Sequence, residues 1–146
     1  MIQDNLKVTG QVSIKIFDKD GNLKDQQEVK NLVVTAGKQF IASRMTGTSA
    51  NVMSHMAIGS DNTAAAAGQT ALLSELGRVA LTSGTSAGAV ATYVASFPAG
   101  TGTGAVVEAG ILNASSSGTM LCRTVFSVVN KGADDAMTIT WQITVS

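Results

Sequence analysis

Hydrophobic and polar residues alternate along two segments of the chain, one near each end. In residues 8–17, the apolar side chains of one parity are Val8, Val12, Ile14 and Ile16. In residues 137–145, every odd position is apolar: Met137, Ile139, Trp141, Ile143 and Val145. Successive side chains of a strand point to opposite faces, so both segments are predicted to be strands with one buried face. A one-residue slip would expose all the apolar side chains of the last strand, which is therefore expected to lie centrally in a sheet.

A turn signal follows the first of these strands. Residues 18–22 read Asp-Lys-Asp-Gly-Asn, and these residue types tolerate left-handed backbone or hydrogen-bond to their own backbone. A second strand is predicted over residues 23–34, where it ends in Leu32, Val33 and Val34. Two strands joined by a turn of this kind predict an antiparallel hairpin.

The period of the pattern changes at Thr35. The segment TAGKQFIASRM places Phe40, Ile41 and Met45 on a helical stretch, with Thr35 as N-cap and Gly47 at its end. We therefore predict one short helix at about residues 35–46, which would cover an open end of a β-sandwich. It is expected to be the only substantial helix.

Short strand candidates separated by Gly, Ser, Thr and Asn clusters fill the rest of the chain. They cover residues 52–58, 89–97, 105–112 and 120–129, whereas residues 59–68 are predicted to be a loop. Residues 72–76 are either a helical turn or the start of a strand that continues to Leu81. Seven or eight such strands predict an all-β fold, an antiparallel β-sandwich or jelly roll with one short helix. The chain is expected to be a single domain over residues 1–146, with residues 1–6 as a candidate flexible arm that becomes ordered on docking.

Charge is scarce, balanced and unevenly distributed. Ten Lys and Arg offset ten Asp and Glu among 146 residues, and Gly, Ala, Ser and Thr supply 65 of the total. Seven of the ten basic residues precede position 45, where acidic residues are interleaved with them. Nucleic acid is not an expected partner, because phosphate contacts need clustered Lys and Arg. The distribution predicts that the N-terminal hairpin faces solvent and that the uncharged remainder supplies the core and the contacts between subunits.

Neither a secretory signal nor a membrane span is expected. Residues 1–10 lack a charged region followed by an apolar one. The uncharged segment of residues 79–107 is long enough to span a membrane, but Ser, Thr and Gly interrupt it throughout. A membrane is therefore not among the predicted partners.

Few side chains are candidates for chemistry. His55 is the one histidine of the sequence, and its neighbours do not supply the partners that a metal site or a Ser-His-Asp triad needs. Cys122 lies in a predicted strand on the parity of Met120, Phe126 and Val128, which favours core packing over an activated thiolate. A single cysteine also excludes an intramolecular disulfide. We therefore predict no catalytic, cofactor-binding or metal-binding residues and no small-molecule substrate.

Two loop motifs are more typical of turns than of ligand sites. Asp18-x-Asp20-Gly21 resembles part of a calcium loop, but its Gly comes too early and the twelfth position is Val29, so a hairpin turn is favoured. Residues 100–104, Gly-Thr-Gly-Thr-Gly, lack the Gly-Lys-Ser/Thr of a phosphate-binding loop. This second motif is predicted to be a flexible or tightly turned loop between strands.

Three charged side chains stand alone in otherwise uncharged strands. They are Glu108, Arg78 and Arg123. Either these groups pair with one another or they face a partner subunit, and both interpretations remain open at the level of sequence.

Several segments resemble small structural proteins of tailed bacteriophages. The first block runs from Ile14-Lys-Ile-Phe-Asp-Lys-Asp-Gly-Asn-Leu to Lys30-Asn-Leu-Val-Val-Thr-Ala-Gly-Lys38. The second comprises Met56-Ala-Ile-Gly-Ser60, Thr63-Ala-Ala-Ala-Ala-Gly68 and Leu76-Gly-Arg-Val-Ala80. The third comprises Tyr93-Val-Ala-Ser-Phe97, Glu108-Ala-Gly-Ile-Leu112, Gly118-Thr-Met-Leu-Cys-Arg-Thr-Val-Phe126 and Thr138-Ile-Thr-Trp141. Together the blocks cover most of the chain.

Proteins of this kind include capsid cement or decoration proteins and tail or fibre components. The resemblance implies a non-enzymatic virion protein located on the capsid surface and made in the host bacterial cytoplasm. Its implied partners are the major capsid protein and copies of itself in a homo-oligomer, and no catalytic motif or cofactor accompanies the resemblance. The alternative is a tail, fibre or baseplate subunit involved in attachment. A small hydrolase or carbohydrate-binding domain is disfavoured by the lone His55.

Overall fold

The chain folds into a β-sheet structure with one helix. The structure, a computed structural model, describes residues 5–47 and 51–146. Within these residues the elements are β1 (Val8–Phe17), β2 (Leu23–Val33), α1 (Thr35–Met45), β3 (His55–Gly59), β4 (Glu75–Ala80), β5 (Ser83–Ala87), β6 (Val90–Phe97), β7 (Gly104–Leu112), β8 (Met120–Lys131) and β9 (Ala136–Val145). The prediction of an all-β fold with one short helix near residues 35–46 is confirmed.

β1 and β2 form the antiparallel hairpin that the alternation predicted. The turn between them is held by Asp18, whose Oδ1 accepts hydrogen bonds from the amides of Asp20 and Asn22, each at 2.9 Å. Gly21 has a φ of +81°, a left-handed conformation that glycine adopts without the clash a Cβ would cause. The interpretation of this motif as a hairpin turn is therefore confirmed.

All nine strands belong to one curled sheet with the order β4-β3-β7-β8-β2-β1-β9-β6-β5, and all the pairings are antiparallel. β2 pairs with β1 over most of its length but with β8 at Leu32 and Val33, so it joins two halves of the sheet. We name the strands β2, β1, β9, β6 and β5 the β1 half, and the strands β4, β3, β7 and β8 the β7 half. Curling brings the inner faces of the two halves together around one core, and β4 comes close to β6.

The main core lies between the two halves. The β1 half contributes apolar side chains of one parity, among them Val12, Ile14, Ile139, Trp141 and Ile143. The β7 half contributes Met56, Ile58, Val106, Ile111, Phe126 and Val129. β9 lies between β1 and β6, so the strand with the clearest alternation occupies an interior position, as predicted.

Register shifts in the pairing of β7 with β8 change which parity faces the core. One shift lies between Val106 and Glu108, and as a result Val106 and Ala109 are both buried in the core although they are three positions apart. A bulge inserts an extra residue into one strand and so reverses the alternation beyond it. On β8, the prediction that Val128 shares the buried parity is wrong, because Val128 is 50% exposed and Val129 is 3% exposed.

α1 packs against the main core through Phe40 and Ile41. Gly37 allows the helix to approach β8 closely, because a Cβ on Gly37 would lie 2.0 Å from the carbonyl oxygen of Leu121. No other residue type fits at this point without moving the helix away from the strand. Met45, the last residue of the helix, is 84% exposed.

The predicted N-cap of the helix is wrong. Thr35 is the first helical residue, and the cap position belongs to Val34, which has extended backbone and makes no side-chain capping hydrogen bond. The reason is that the strand pairing continues through Val34, whose amide donates to the carbonyl of Leu121 at 3.2 Å. The end of the helix agrees with prediction, since Gly47 follows it with a φ of +72°.

Two strand boundaries differ from the sequence prediction, and one strand was not predicted at all. The strand expected at residues 52–58 begins at His55, and the segment at residues 72–76 becomes a strand only from Glu75. β5 was not predicted, because its sequence, SGTSA, has no large apolar residue to mark a strand. The candidate arm of residues 1–6 falls mostly outside the described residues, although Leu6 is 76% exposed.

Candidate functional site

Histidine and cysteine are common catalytic residues, and the chain has one of each, His55 on β3 and Cys122 on β8. His55 is half-buried at the start of β3, and its Nδ1 lies 2.8 Å from the Oγ of Ser54. Cys122 is fully buried, and burial raises the pKa of its thiol, so it packs as a small protonated apolar group as predicted. Among residues 5–47 and 51–146, no three side chains of His, Cys, Asp or Glu are grouped closely enough to hold a metal ion.

The glycine-rich loop of residues 100–104 is a tight turn that leads into β7. Gly100, Gly102 and Gly104 have φ values of +85°, +71° and +141°, which favour glycine over other residues. Gly102 is also buried, and a Cβ there would lie 2.4 Å from the side chain of Ile58. The prediction of a turn between strands is confirmed.

Two of the three isolated charges form a fully buried ion pair. The Nε of Arg123 donates to the Oε1 of Glu108 at 3.1 Å, and both side chains are 0% exposed. They lie on neighbouring strands of the β7 half, Glu108 opposite Val125 and Arg123 opposite Gly110. The alternative in which these charges pair with one another is therefore confirmed for Glu108 and Arg123.

The Glu108 carboxylate holds the segment of residues 60–74, which we call the covering loop. Its Oε1 accepts a hydrogen bond from the amide of Leu73 at 3.0 Å. Its Oε2 accepts hydrogen bonds from the amides of Ser74 at 2.9 Å and Asp61 at 3.1 Å. These three amide donors, together with the Arg123 guanidinium, give both carboxylate oxygens hydrogen-bond partners and fix both ends of the loop.

The Arg123 guanidinium fixes the same loop through its carbonyl groups. It donates to the carbonyl oxygens of Thr63 at 2.8 Å and Asp61 at 3.2 Å, and to the Oε1 of Gln69 at 3.1 Å. Every nitrogen of the guanidinium therefore has a partner. The pKa of the Asp61 carboxyl is lowered, chiefly by hydrogen bonding from Thr63 and to a smaller extent by the charge of Arg123.

Apolar contacts complete the attachment of the covering loop. Leu72 belongs to a second, smaller cluster of buried side chains together with Val34, Ala57, Leu112 and Met120. Ala57 is on the opposite face of β3 from Met56 and Ile58, which belong to the main core. The chain thus covers the outward-facing surface of the β7 half with its own loop.

The third isolated charge, Arg78, is also engaged within the chain. Its guanidinium pairs with Glu75, with Nη2 to Oε1 at 2.7 Å and Nε to Oε2 at 3.2 Å. Its Nη1 donates to the carbonyl oxygens of Ala114 and Ser117, each at 2.9 Å. Arg78 therefore ties β4 to the turn between β7 and β8.

A further charged cluster, around Lys131 and Asp135, was missed at the level of sequence. The Nζ of Lys131 is buried and donates to the carbonyl oxygens of Asp135 at 2.7 Å and Pro98 at 2.9 Å. The Oδ2 of Asp135 accepts from the Nζ of Lys24 at 2.7 Å, and this contact is the largest cause of a lowered pKa at Asp135. The sequence does contain one indication of this cluster. Asp135 follows Lys131, the last residue of β8, by four positions, across a turn that contains Gly132.

In contrast to the β7 half, the β1 half has no segment of residues 5–47 or 51–146 packed over its outward-facing surface. We name the uncharged part of this surface the outer face and define it by twelve outward-pointing side chains of four strands. These are Thr9, Gln11, Ser13, Ser83, Thr85, Ala87, Thr92, Val94, Ser96, Thr138, Thr140 and Gln142. All are exposed or half-buried, and none is charged. Charged side chains adjoin it directly: Lys15 of β1 points to the same side opposite Thr138, and Glu28 and Lys30 of β2 lie opposite Ser13 and Gln11.

An apolar cleft opens where the helix meets the β1 half. It has a volume of about 260 Å³ and lies between Phe40 and Ile41 of α1, Tyr93 and Ile143 of the sheet, and Ser86 of β5. Burial raises the pKa of the Tyr93 hydroxyl, so this group is neutral at physiological pH. The cleft is thus a neutral, mostly apolar surface next to one edge of the sheet.

The comparisons with known proteins are negative. No protein-family model, curated protein or solved structure matches the chain. No helix among residues 5–47 and 51–146 is long and apolar enough to cross a membrane. The candidate functional site is the outer face together with the edge of the sheet formed by β5.

Proposed function

We propose that the chain is a non-enzymatic structural protein of a tailed-bacteriophage virion. In this proposal it is a capsid cement or decoration protein that binds the lattice of the major capsid protein and stabilises the head. It is made in the host cytoplasm, acts on the capsid surface and assembles with copies of itself. The observation that carries the proposal is the uncovered outer face, and the resemblance of the short segments within residues 14–38, 56–80 and 93–141 to phage structural proteins supplies the biological context.

The outer face has the chemistry of a surface that binds another protein. Because the side chains that define it are uncharged, a second protein that covers them and leaves Lys15, Glu28 and Lys30 in solvent buries no unpaired charge, which would cost several kcal/mol. Its hydroxyl and amide groups can donate and accept hydrogen bonds, directly or through bound water. An uncharged face also predicts binding that depends only weakly on salt concentration.

When linked copies bind a repeated lattice, the affinity of each individual contact can be low. Copies that are linked to one another bind neighbouring lattice positions with a high effective concentration, so their combined affinity exceeds that of one copy. A broad face without a deep pocket or a charged anchor is sufficient under these conditions. The outer face, with side chains from β5, β6, β9 and β1, fits this requirement.

A substitution near the centre of the outer face tests the proposal. Thr140 lies between Val94 of β6 and Ser13 of β1. We expect Thr140→Arg to weaken binding to purified heads that lack the protein at least about tenfold, which corresponds to about 1.4 kcal/mol, because it inserts a long charged side chain into the contact. The measurement is co-sedimentation of the protein with these heads over a range of protein concentrations.

The matched control is Thr103→Arg, which adds the same side chain to an exposed loop position outside the outer face. The control should bind heads as the unmodified protein does. Equal binding by both variants would refute the assignment of the outer face. Binding of the unmodified protein to tails, fibres or baseplates but not to heads would instead support the alternative of a tail subunit.

A further inference from the structure

β5 presents an open hydrogen-bonding edge of the sheet. It is the last strand on one side, and within the described residues it pairs with β6 alone, in a regular register from Ser83 opposite Val94 to Ala87 opposite Val90. In an antiparallel strand, alternate backbone N–H and C=O groups point away from the existing partner. All five residues of β5 are exposed. Its outward backbone groups are therefore available for another strand.

The opposite edge of the same sheet, formed by β4, is protected against pairing with another strand, and β5 lacks the features that protect it. β4 carries Glu75 and Arg78, and its pairing with β3 has a register shift at Gly59. Charged side chains and bulges are the devices by which proteins keep an edge strand from pairing with other chains. β5 has no charge, no proline and no register shift in its pairing with β6. Of the two edges, only β4 is built to resist pairing.

We propose that β5 pairs antiparallel with β5 of a second copy of this chain, about a two-fold axis at Thr85. The inference rests on the proposed function, in which copies of the chain bind one another. This register places Thr85 opposite itself and Ser83 opposite Ala87 of the partner, so no like charges meet. The five-stranded β1 halves of two copies then form one continuous sheet, and their outer faces become one surface.

The apolar cleft lies beside this edge and adds to the contact. Ser86 belongs both to β5 and to the wall of the cleft. A strand paired along β5 would lie next to the mouth of the cleft and shield apolar surface of Tyr93 in addition to forming backbone hydrogen bonds. Five residues of strand pairing make a small interface, so we expect a dimer that dissociates readily at low concentration and is strengthened by a lattice.

Cysteine cross-linking tests the proposed register directly. The native Cys122 is fully buried, so a cysteine introduced at an exposed position is the reactive thiol of the chain. Directly opposed residues of paired strands lie within the Cα–Cα range of a disulfide. Under mild oxidation of the purified protein, we expect Thr85→Cys to form covalent dimers at least about tenfold faster than Thr103→Cys, since pairing raises the effective thiol concentration to about the millimolar range.

Charge substitutions provide a second readout of the same interface. Thr85→Lys and Thr85→Glu should each reduce the dimer fraction measured by sedimentation, because like charges would meet at the two-fold axis. An equimolar mixture of the two variants should restore dimers, whereas the same pair of substitutions at Thr103 should have no effect. Circular dichroism confirms that each variant is folded.

Equal cross-linking rates at positions 85 and 103, or dimers that persist in both charge variants, would overturn the inference. So would Thr85→Cys cross-links that form only to a different protein in assembled particles. The cross-linking rates and the sedimentation of the charge variants are measured on the purified protein, so these two tests succeed or fail independently of whether it binds phage heads.

Discussion

Arg123→Met is expected to lower the free energy of unfolding by about 3–5 kcal/mol, because it leaves the carboxylate of Glu108 buried without its counter-ion. Arg123 and Glu108 are both 0% exposed, so water cannot replace the missing partner without opening the structure. The substitution also leaves the carbonyl groups of Thr63 and Asp61 without a donor. The measurement is urea-induced unfolding followed by circular dichroism.

The stability of a double variant shows whether this network differs from a buried ion pair that makes no other hydrogen bonds. Replacing both partners of a buried pair with apolar residues is often neutral or stabilising. Here we expect Glu108→Leu combined with Arg123→Met to remain destabilised, because the amides of Leu73, Ser74 and Asp61 lose their acceptor. The control is Lys19→Met at an exposed turn position, which should change stability by less than about 0.5 kcal/mol. Full recovery in the double variant would show that the covering loop does not depend on the network.

Trp141→Ala is expected to lower the free energy of unfolding by about 3–5 kcal/mol. Trp141 is fully buried at the middle of β9, between Val12 of β1 and Tyr93 of β6, and packs in the main core. Its removal leaves a cavity that the flanking strands of a continuous sheet can fill only in part. Its Nε1 has no hydrogen-bond partner among residues 5–47 and 51–146, so no hydrogen bond is lost with the side chain.

The control for this substitution is its neighbour Gln142→Ala, which lies on the outer face of the same strand. We expect that variant to change stability by less than about 0.5 kcal/mol. Because Trp141 is the one tryptophan of the chain, unfolding must be followed by circular dichroism and not by tryptophan fluorescence. A loss below about 1 kcal/mol for Trp141→Ala would contradict the position of β9 at the centre of the core.

The elements that sequence predicts well are those whose signals are local. The alternation in β1 and β9, the turn at Asp18 and the helix that begins at Thr35 each depend on residues a few positions apart. β5 gives no such signal, because its small residues carry no apolar pattern and its strand conformation comes from pairing with β6. The N-cap was misassigned for a related reason, since the pairing of Val34 with β8 is a tertiary contact.

The candidate site required information that no sequence pattern carries. The Glu108–Arg123 pair depends on a register shift between β7 and β8, which simple alternation does not anticipate. The charge distribution predicted a solvent-facing hairpin, and β2 is largely exposed as expected, but β1 also supplies Val12, Ile14 and Ile16 to the core. The path of the covering loop decides which face of the sheet stays exposed, because the loop packs on the β7 half and not on the outer face.

Location within the virion tests the central claim most directly. Under the proposed function the chain is encoded by a tailed phage, and particles of that phage can be imaged by cryo-electron microscopy, with and without the gene for the chain. The account predicts density for the nine-stranded fold on the outside of the capsid, with its outer face toward the major capsid protein, and the loss of that density when the gene is absent. Density confined to the tail, or heads identical in both maps, would contradict the assignment to the capsid surface.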